Sequence, residues 1–170
     1  MRKTTQFGFI VATMASLMAL AGCLKDNEGI SFEEQLQRDI EIIDDYLTEN
    51  AIVAEAHESG LRYVIHEGGS GDQPTLEQCV KFNYSGKFLS SGQEFDSGEN
   101  AKLPLYILID GFKVGLPLIA EGGSITLYIP SGLAYGPTGY PPTIPANANL
   151  IFEVELLDVT SVNQDTGQCN

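Results

Sequence analysis

The residue types that usually carry catalysis are scarce in this 170-residue chain. Its only histidines, His57 and His66, lie upstream of the most apolar region, and the serines have no evident histidine partner, so a Ser-His-Asp hydrolase is not supported. The sequence has neither a C-x-x-C redox pair nor a Cys/His cluster with zinc spacing. The candidates that remain are aromatic residues gathered around one acid: Tyr84, Phe95, Asp96, Phe112, Tyr135, Tyr140 and Phe152.

Two ordered groups of motifs contain most of these aromatic residues. The first is Val80-Lys81-Phe82-Asn83-Tyr84-Ser85-Gly86, followed by Gly92-Gln93-Glu94-Phe95-Asp96-Ser97. The second comprises Ile129-Pro130, Leu133-Ala134-Tyr135-Gly136, Ile144-Pro145 and Leu150-Ile151-Phe152-Glu153-Val154-Glu155-Leu156-Leu157. In order and spacing, from about Gly60 to Val159, the chain resembles the FKBP-type peptidyl-prolyl isomerases. The segment Gly60-Leu61-x-Tyr63 also resembles exported bacterial members, which often carry an N-terminal helical extension.

The resemblance implies an α+β fold, in which an antiparallel β-sheet of about five strands wraps around a short α-helix with an apolar pocket between them. It also implies a reaction, which is rotation about Xaa-Pro peptide bonds. Amide rotation has a barrier of about 18–20 kcal/mol because the planar form is conjugated. The twisted amide is less polarised, so an aromatic, water-poor pocket favours it over the planar ground state. No metal, nucleotide or other cofactor is then expected.

The same resemblance assigns roles to individual residues. The walls and floor that hold the proline ring would be Tyr84, Phe95, Phe112 and Phe152. Ile109 would offer its backbone N–H to a substrate carbonyl, and Leu108 would line the same edge. The expected catalytic residues are Tyr135, donating its hydroxyl to a carbonyl, and Asp96, in polar contact with the twisting amide. The residues expected to cover the site are Tyr140 and Ile144.

Three residues depart from the family pattern. Phe112, after Gly111, stands where the family usually has Trp. We expect this change to alter affinity more than it abolishes turnover. Leu103 replaces a Phe of the strand before the pocket. Pro117 lies inside the expected pocket helix, near Phe112 to Ala120, where proline removes a backbone hydrogen bond. That helix is therefore predicted to be kinked or short.

Periodic patterns predict the elements that must position the site. Ser31-Phe32-Glu33-Glu34 is a capping box, and it opens an amphipathic helix predicted from Phe32 to Glu49. The helix carries an apolar stripe of Leu36, Ile40, Ile43 and Leu47. That stripe either docks on its own domain or pairs with a second copy to form a homodimer.

Strands are predicted over residues 60–66, 80–85, 103–109, 124–129 and 150–159, from apolar runs and alternation with period two. About twenty Pro-rich residues separate the last two strands, and so long a loop in a compact domain is usually functional. The Gly68-Gly69-Ser70-Gly71 loop lacks Lys and is not followed by a helix pattern, so it does not indicate a phosphate cradle.

The N-terminus reads as an export signal. Arg2 and Lys3 precede an apolar run from Phe7 to Leu20, which is too short for a comfortable membrane span. Leu20-Ala21-Gly22-Cys23 resembles the bacterial lipobox, whose Cys is lipidated. The alternatives are an uncleaved anchor and an ordinary secretory signal. Because Cys23 is not followed by Asp, we expect lipid anchoring at the outer membrane of the cell envelope, with the membrane face left open.

The predicted organisation has five parts. They are a signal peptide over 1–22, a tether over 23–30, a helical extension over 31–58, an isomerase domain over 59–160 and a tail over 161–170.

Export permits disulfides, so Cys79 and Cys169 either bridge the tail to the domain or remain two thiols. With 9 Lys plus Arg against 23 Asp plus Glu, the net charge of −14 argues against a nucleic-acid partner.

These observations predict a lipid-anchored peptidyl-prolyl isomerase that assists folding of proline-containing exported polypeptides. One alternative is a proline-binding chaperone or interaction module with little catalytic activity. Another is a scaffold joined to a surface complex through the N-terminal helix, although a scaffold has no need of both Tyr135 and Asp96.

Overall fold

The computed structural model describes residues 30–163 and 165–169, so the predicted signal peptide and the lipidation at Cys23 lie outside the described residues. The elements in chain order are α1 (Phe32–Glu49), β1 (Glu55–Ala56), β2 (Arg62–Glu67), β3 (Gln78–Phe88), β4 (Glu94–Pro104), α2 (Asp110–Gly115), β5 (Ser124–Ile129) and β6 (Leu150–Ser161). The six strands form one antiparallel sheet in the order β1-β2-β5-β6-β3-β4. The predicted fold class is confirmed. Among the helices of the described segments, none has the length and apolarity needed to cross a membrane.

The sheet packs against α2 on one face and against α1 on part of the other. Strand β5 shows the alternation: Leu127 and Ile129 point to α2, whereas Tyr128 packs with Ile43 of α1. Helix α2 approaches β5 closely because glycine stands at the contact. A Cβ built on Gly111 would lie 2.6 Å from the Ile129 side chain.

The prediction of a strand over residues 103–109 was wrong, because the structure places the strand β4 earlier in the chain. The strand begins at Glu94 and ends at Pro104, and residues 105–107 form a 3-10 turn. Proline has no N–H to donate to a ladder, so the pairing with β3 stops there. The beginning of β4 was missed because residues 97–102 are mostly polar and give no apolar alternation.

Two β-bulges control which side chains β4 presents. From the pair Phe82–Ala101 to the pair Tyr84–Gly98, β3 advances two residues and β4 advances three. The extra residue of β4 is accommodated at Asn100, which has a φ of 54°. The side-chain amide oxygen of Asn83 accepts a hydrogen bond from the Asn100 N–H at 2.8 Å. A second bulge lies between the pairs Gly86–Asp96 and Lys87–Glu94, where β4 again has one residue more than β3.

The pocket helix is short, as Pro117 predicts. Helix α2 ends at Gly115, and residues 116–118 continue as a 3-10 turn that contains the proline. Because Pro117 stands in the first turn of this new 3-10 segment, its missing N–H leaves no intrahelical hydrogen bond unmade.

Helix α1 has the predicted bounds and the predicted capping box at Ser31. Its stripe docks on the chain's own sheet, where Ile43 and Leu47 are buried with Tyr128. A polar anchor lies beside this apolar contact. The almost fully buried Asp39 carboxylate accepts hydrogen bonds from the Ser131 N–H at 2.9 Å and the Ser131 hydroxyl at 2.6 Å.

Cys79 of β3 and Cys169 form a disulfide with a Cα–Cα distance of 5.7 Å. The pairing decides between the two alternatives that the sequence left open. It ties the C-terminal tail to the sheet, and Val162 also forms a β-bridge with Cys169.

We expect Asp39→Ala to lower the free energy of unfolding by about 1–3 kcal/mol, because the buried Ser131 hydroxyl loses its charged acceptor. Urea unfolding followed by tyrosine fluorescence measures this change. Asp45→Ala is the matched control, since Asp45 is exposed on the same helix and its replacement should cost less than about 0.5 kcal/mol. Equal effects of the two substitutions would show that the buried carboxylate does not anchor α1.

Candidate active site

A cavity of about 290 Å³ opens between α2 and the sheet. It is lined by Phe82, Tyr84, Asp96, Ala101, Leu103, Ile107, Leu108, Ile109, Phe112, Tyr135 and Phe152. A larger and more open depression of about 650 Å³ shares Tyr84 with this cavity, but its side chains are mainly polar, including His66, Glu99 and Glu153. The smaller cavity is therefore the candidate site, because it alone of these two joins an aromatic floor to a few polar groups.

The floor of the cavity is a set of packed aromatic rings centred on Phe152. Its ring centroid lies 4.9 Å from that of Phe112 in an edge-to-face arrangement and 6.2 Å from that of Tyr84. Phe82 completes the floor, 5.7 Å from Phe112. These separations lie in the range that aromatic pairs favour, so the rings fill space against one another and leave an apolar surface for a ligand.

Two glycines make room for these rings. A Cβ on Gly86 of β3 would lie 2.7 Å from Phe152 and 2.9 Å from Phe95. A Cβ on Gly98 of β4 would lie 2.7 Å from the Tyr84 ring. Any larger residue would force the aromatic side chains to move, so the shape of the floor depends on both glycines.

The polar groups lie at the mouth. The Tyr84 hydroxyl donates a hydrogen bond of 2.9 Å to Oδ2 of Asp96, which is exposed. Burial, together with this bond and the charge of Asp96, raises the pKa of Tyr84 to about 12. Burial also raises the pKa of Tyr135, with the negative charge of Asp96 adding to the effect. Both phenols are therefore protonated at neutral pH: Tyr84 donates to Asp96, and the Tyr135 hydroxyl is available as a donor to a ligand.

The edge near α2 offers a backbone donor. Ile109 is the residue that precedes α2, with an extended backbone at φ −61° and ψ 153°. Within the described part of the chain its N–H donates no hydrogen bond. This geometry is compatible with the predicted role of Ile109, which is to bind a substrate carbonyl.

Most of the predicted site residues meet in one place. Those that line the cavity are Tyr84, Asp96, Leu108, Ile109, Phe112, Tyr135 and Phe152. Phe95 lies behind the floor, edge-on to Phe152 at 5.7 Å. Tyr140 is exposed with its ring 5.8 Å from that of Tyr135, and Ile144 is buried in the core, so neither is among the lining residues.

The sequence did not single out three other lining residues, Phe82, Ala101 and Ile107. Phe82 could have been found, because it shares a face of β3 with Tyr84 by simple alternation. Ala101 reaches the cavity only through the bulge in β4, and Ile107 through the turn after Pro104. Those two positions have no signal in a single sequence.

Comparison of folds places the domain in a known class. The crystal structure of FkpA from Escherichia coli superposes with a TM-score of 0.67 at 36% identity, over 77% of this chain and 63% of that one. A peptidyl-prolyl cis-trans isomerase from Pseudomonas syringae pv. tomato gives a TM-score of 0.65 at 24% identity, over 78% of this chain and 98% of that one, which supports the fold alone. The domain is therefore FKBP-like.

Sequence comparison gives the family. Residues 71–157, just over half of the chain, match the model of the FKBP-type peptidyl-prolyl cis-trans isomerases. The chain belongs to this family. FkpA of Aeromonas hydrophila is 40% identical over 122 residues, which are 68% of this chain and 45% of that protein. FkpA of Escherichia coli K12 is 43% identical over 105 residues, 59% of this chain and 38% of that protein. The chain thus spans less than half the length of these two relatives.

We expect Tyr84 to titrate with a pKa of about 12 rather than 10 in an NMR titration of the tyrosine ring carbons. Because the folded-state pKa is the higher one, the stability contributed by this phenol is complete below pH 10 and is lost as the pH rises through 12. Asp96→Asn should lower the pKa of Tyr84 only part of the way to 10, since burial remains the largest cause of the shift.

Tyr63 is the internal control for this titration. Its pKa is raised by burial and by its own bond to Glu55, so Asp96→Asn should leave it unchanged. A Tyr84 pKa that does not respond to Asp96→Asn would contradict the hydrogen-bonded pair at the mouth.

Proposed function

We propose that this protein is a peptidyl-prolyl cis-trans isomerase that acts on Xaa-Pro bonds of exported polypeptides and assists their folding. One observation carries the proposal: the cavity combines an apolar aromatic floor with phenol and carboxylate groups at its mouth. Family membership and the names of the relatives, which are FKBP-type peptidyl-prolyl cis-trans isomerases, support the same reaction.

The proposed mechanism needs no bond to be made or broken in the substrate. Twisting the amide removes its conjugation, so the carbonyl and nitrogen become less polar than in the planar forms. An apolar floor made by Phe82, Phe112 and Phe152 solvates the twisted state better than it solvates the planar ones. The cavity therefore binds the transition state more tightly than the ground state, which is what lowers a barrier.

The polar groups would hold the two ends of the twisting bond. The Tyr135 hydroxyl and the Ile109 N–H are donors for substrate carbonyls on either side of the proline. Asp96 would make the polar contact with the rotating amide. The hydrogen bond from Tyr84 holds the Asp96 carboxylate at the edge of the cavity, so this contact is positioned before the substrate arrives.

The test is a prolyl-isomerisation assay with a short peptide that has an apolar residue before the proline. We expect acceleration, with Tyr135→Phe lowering kcat/KM about fivefold through the loss of one neutral hydrogen bond, worth about 1 kcal/mol. Asp96→Ala should lower kcat/KM at least about tenfold, because a contact from a charged group is worth about 1.5–3 kcal/mol.

Tyr63→Phe and Asp45→Ala are the matched controls, since neither residue lines the cavity. Both variants should keep the activity of the unmodified protein. A folded sample that binds the peptide without accelerating isomerisation would refute the catalytic function and establish a proline-binding chaperone instead. Losses of equal size in the site variants and the controls would refute the assigned roles.

We further propose that the protein is exported and anchored in the cell envelope, at the outer membrane, by lipid on Cys23. The Leu20-Ala21-Gly22-Cys23 sequence supports this anchor. The disulfide between Cys79 and Cys169 adds independent support, because disulfides persist in oxidising compartments such as the periplasm. A lipid-modified cysteine carrying several acyl chains would bind a bilayer stably, whereas one chain binds only marginally.

Fractionation of bacteria that express the full chain tests the anchor. The protein should be recovered in the detergent-soluble membrane fraction, and Cys23→Ser should move it to the soluble fraction. Cys79→Ser is the control, since loss of the disulfide should leave the membrane association intact. A Cys23→Ser protein that stays with the membrane would contradict lipid anchoring at this residue.

A homodimer through α1 stays a prediction. The buried stripe of the helix is occupied by the chain's own sheet, so a second copy would have to use the exposed apolar residues Ile30, Phe32 and Ile42.

A further inference from the structure

A second cleft of about 470 Å³ adjoins the catalytic cavity. One side is formed by Lys102, Leu103, Pro104, Tyr106 and Ile107, from the end of β4 and the turn that follows it. The other side is formed by residues 167–169 of the C-terminal tail. Leu103 and Ile107 line both spaces, so the cleft and the catalytic cavity share a wall.

The disulfide explains why the tail lies at this position. Cys79 pairs with Pro104 in the register of β3 and β4, so the bond to Cys169 emerges beside Pro104. The tail is also closed on itself, because Asn163 donates its N–H to Gln168 at 2.7 Å and accepts the N–H of Gly167 at 2.8 Å. The second side of the cleft is therefore a built part of the domain.

The cleft wall has an unusual amount of uncovered apolar surface. Leu103, Tyr106 and Ile107 are 38%, 48% and 55% exposed. Three large apolar side chains so close together on one short segment form a patch of the kind that binds apolar ligands. These three side chains are therefore accessible to a ligand that extends out of the catalytic cavity.

The substrate itself is the natural occupant. A polypeptide bound by its proline must continue out of a cavity of about 290 Å³, advancing about 3.3–3.6 Å per residue when extended. Residues two or three positions from the proline then pass over the shared wall of Leu103 and Ile107. We propose that this cleft binds apolar side chains of the client polypeptide two or three residues from the proline, a proposal that rests on the isomerase function above.

The experiment compares two proline peptides on the full-length protein in detergent. The short peptide holds only the apolar residue, the proline and one following residue, and the long peptide adds two Leu residues on each side. We expect the long peptide to have the higher kcat/KM. Tyr106→Ser should lower the ratio of kcat/KM for the long peptide over the short one about fivefold, because Tyr106 lines the cleft and not the catalytic cavity.

Leu76→Ser is the matched control, since Leu76 is 45% exposed and lies outside both spaces. The ratio of kcat/KM for the long peptide over the short one should be the same in Leu76→Ser as in the unmodified protein. The double variant Cys79→Ala/Cys169→Ala, which releases the tail, should lower the ratio as Tyr106→Ser does. A long peptide with Ser in place of the added Leu residues should show no effect of Tyr106→Ser.

Other outcomes separate this proposal from the isomerase function. Acceleration of both peptides with a ratio unchanged in Tyr106→Ser would overturn the cleft and leave the isomerase function standing. If neither peptide is accelerated, the isomerase function fails, and fluorescence anisotropy of the labelled long peptide then decides. Weaker binding by Tyr106→Ser than by Leu76→Ser would support the cleft, and equal binding would overturn it.

Discussion

The register of β4 on β3 is the constraint on which the rest of the site depends. In an uninterrupted strand, Asp96 and Ala101 would point to opposite faces, because side chains alternate with period two. The extra residue at Asn100 reverses that alternation, so the carboxylate and the apolar wall face the same cavity. One inserted residue thus joins a polar mouth to an apolar interior on a single strand.

Packing and function meet in the aromatic floor. The Tyr84 ring occupies the space that a side chain at Gly98 would fill, and the Phe152 ring occupies the space that a side chain at Gly86 would fill. The aromatic floor can form only because these two positions have no side chain. The phenol of Tyr84 is then held by Asp96, which leaves the Tyr135 hydroxyl as the donor for a ligand. The site acts on a ligand through its shape and polarity, which fits the scarcity of histidine and nucleophilic pairs in the sequence.

The parts of the structure that could be predicted were those with local or ordered signals. The capping box and apolar stripe defined α1 to the residue, and Pro117 indicated a kinked or short pocket helix. The family resemblance pointed to Tyr84, Asp96, Phe112 and Phe152, all of which line the cavity. Strand β4 was misplaced because its middle is polar and is held by pairing with β3 instead of by its own burial. Ile107 and the tail depend on a turn and a disulfide between distant residues, which a single sequence does not determine.

The bond between Cys79 and Cys169 closes a covalent ring that contains every residue lining the candidate cavity. Exposed loop residues such as Pro137 and Thr138 lie within that ring. A protease that cuts the chain once in such a loop opens the backbone but leaves both fragments joined, and the sheet holds them in register. The residues that line the cavity therefore stay in one covalently joined molecule after a single cut.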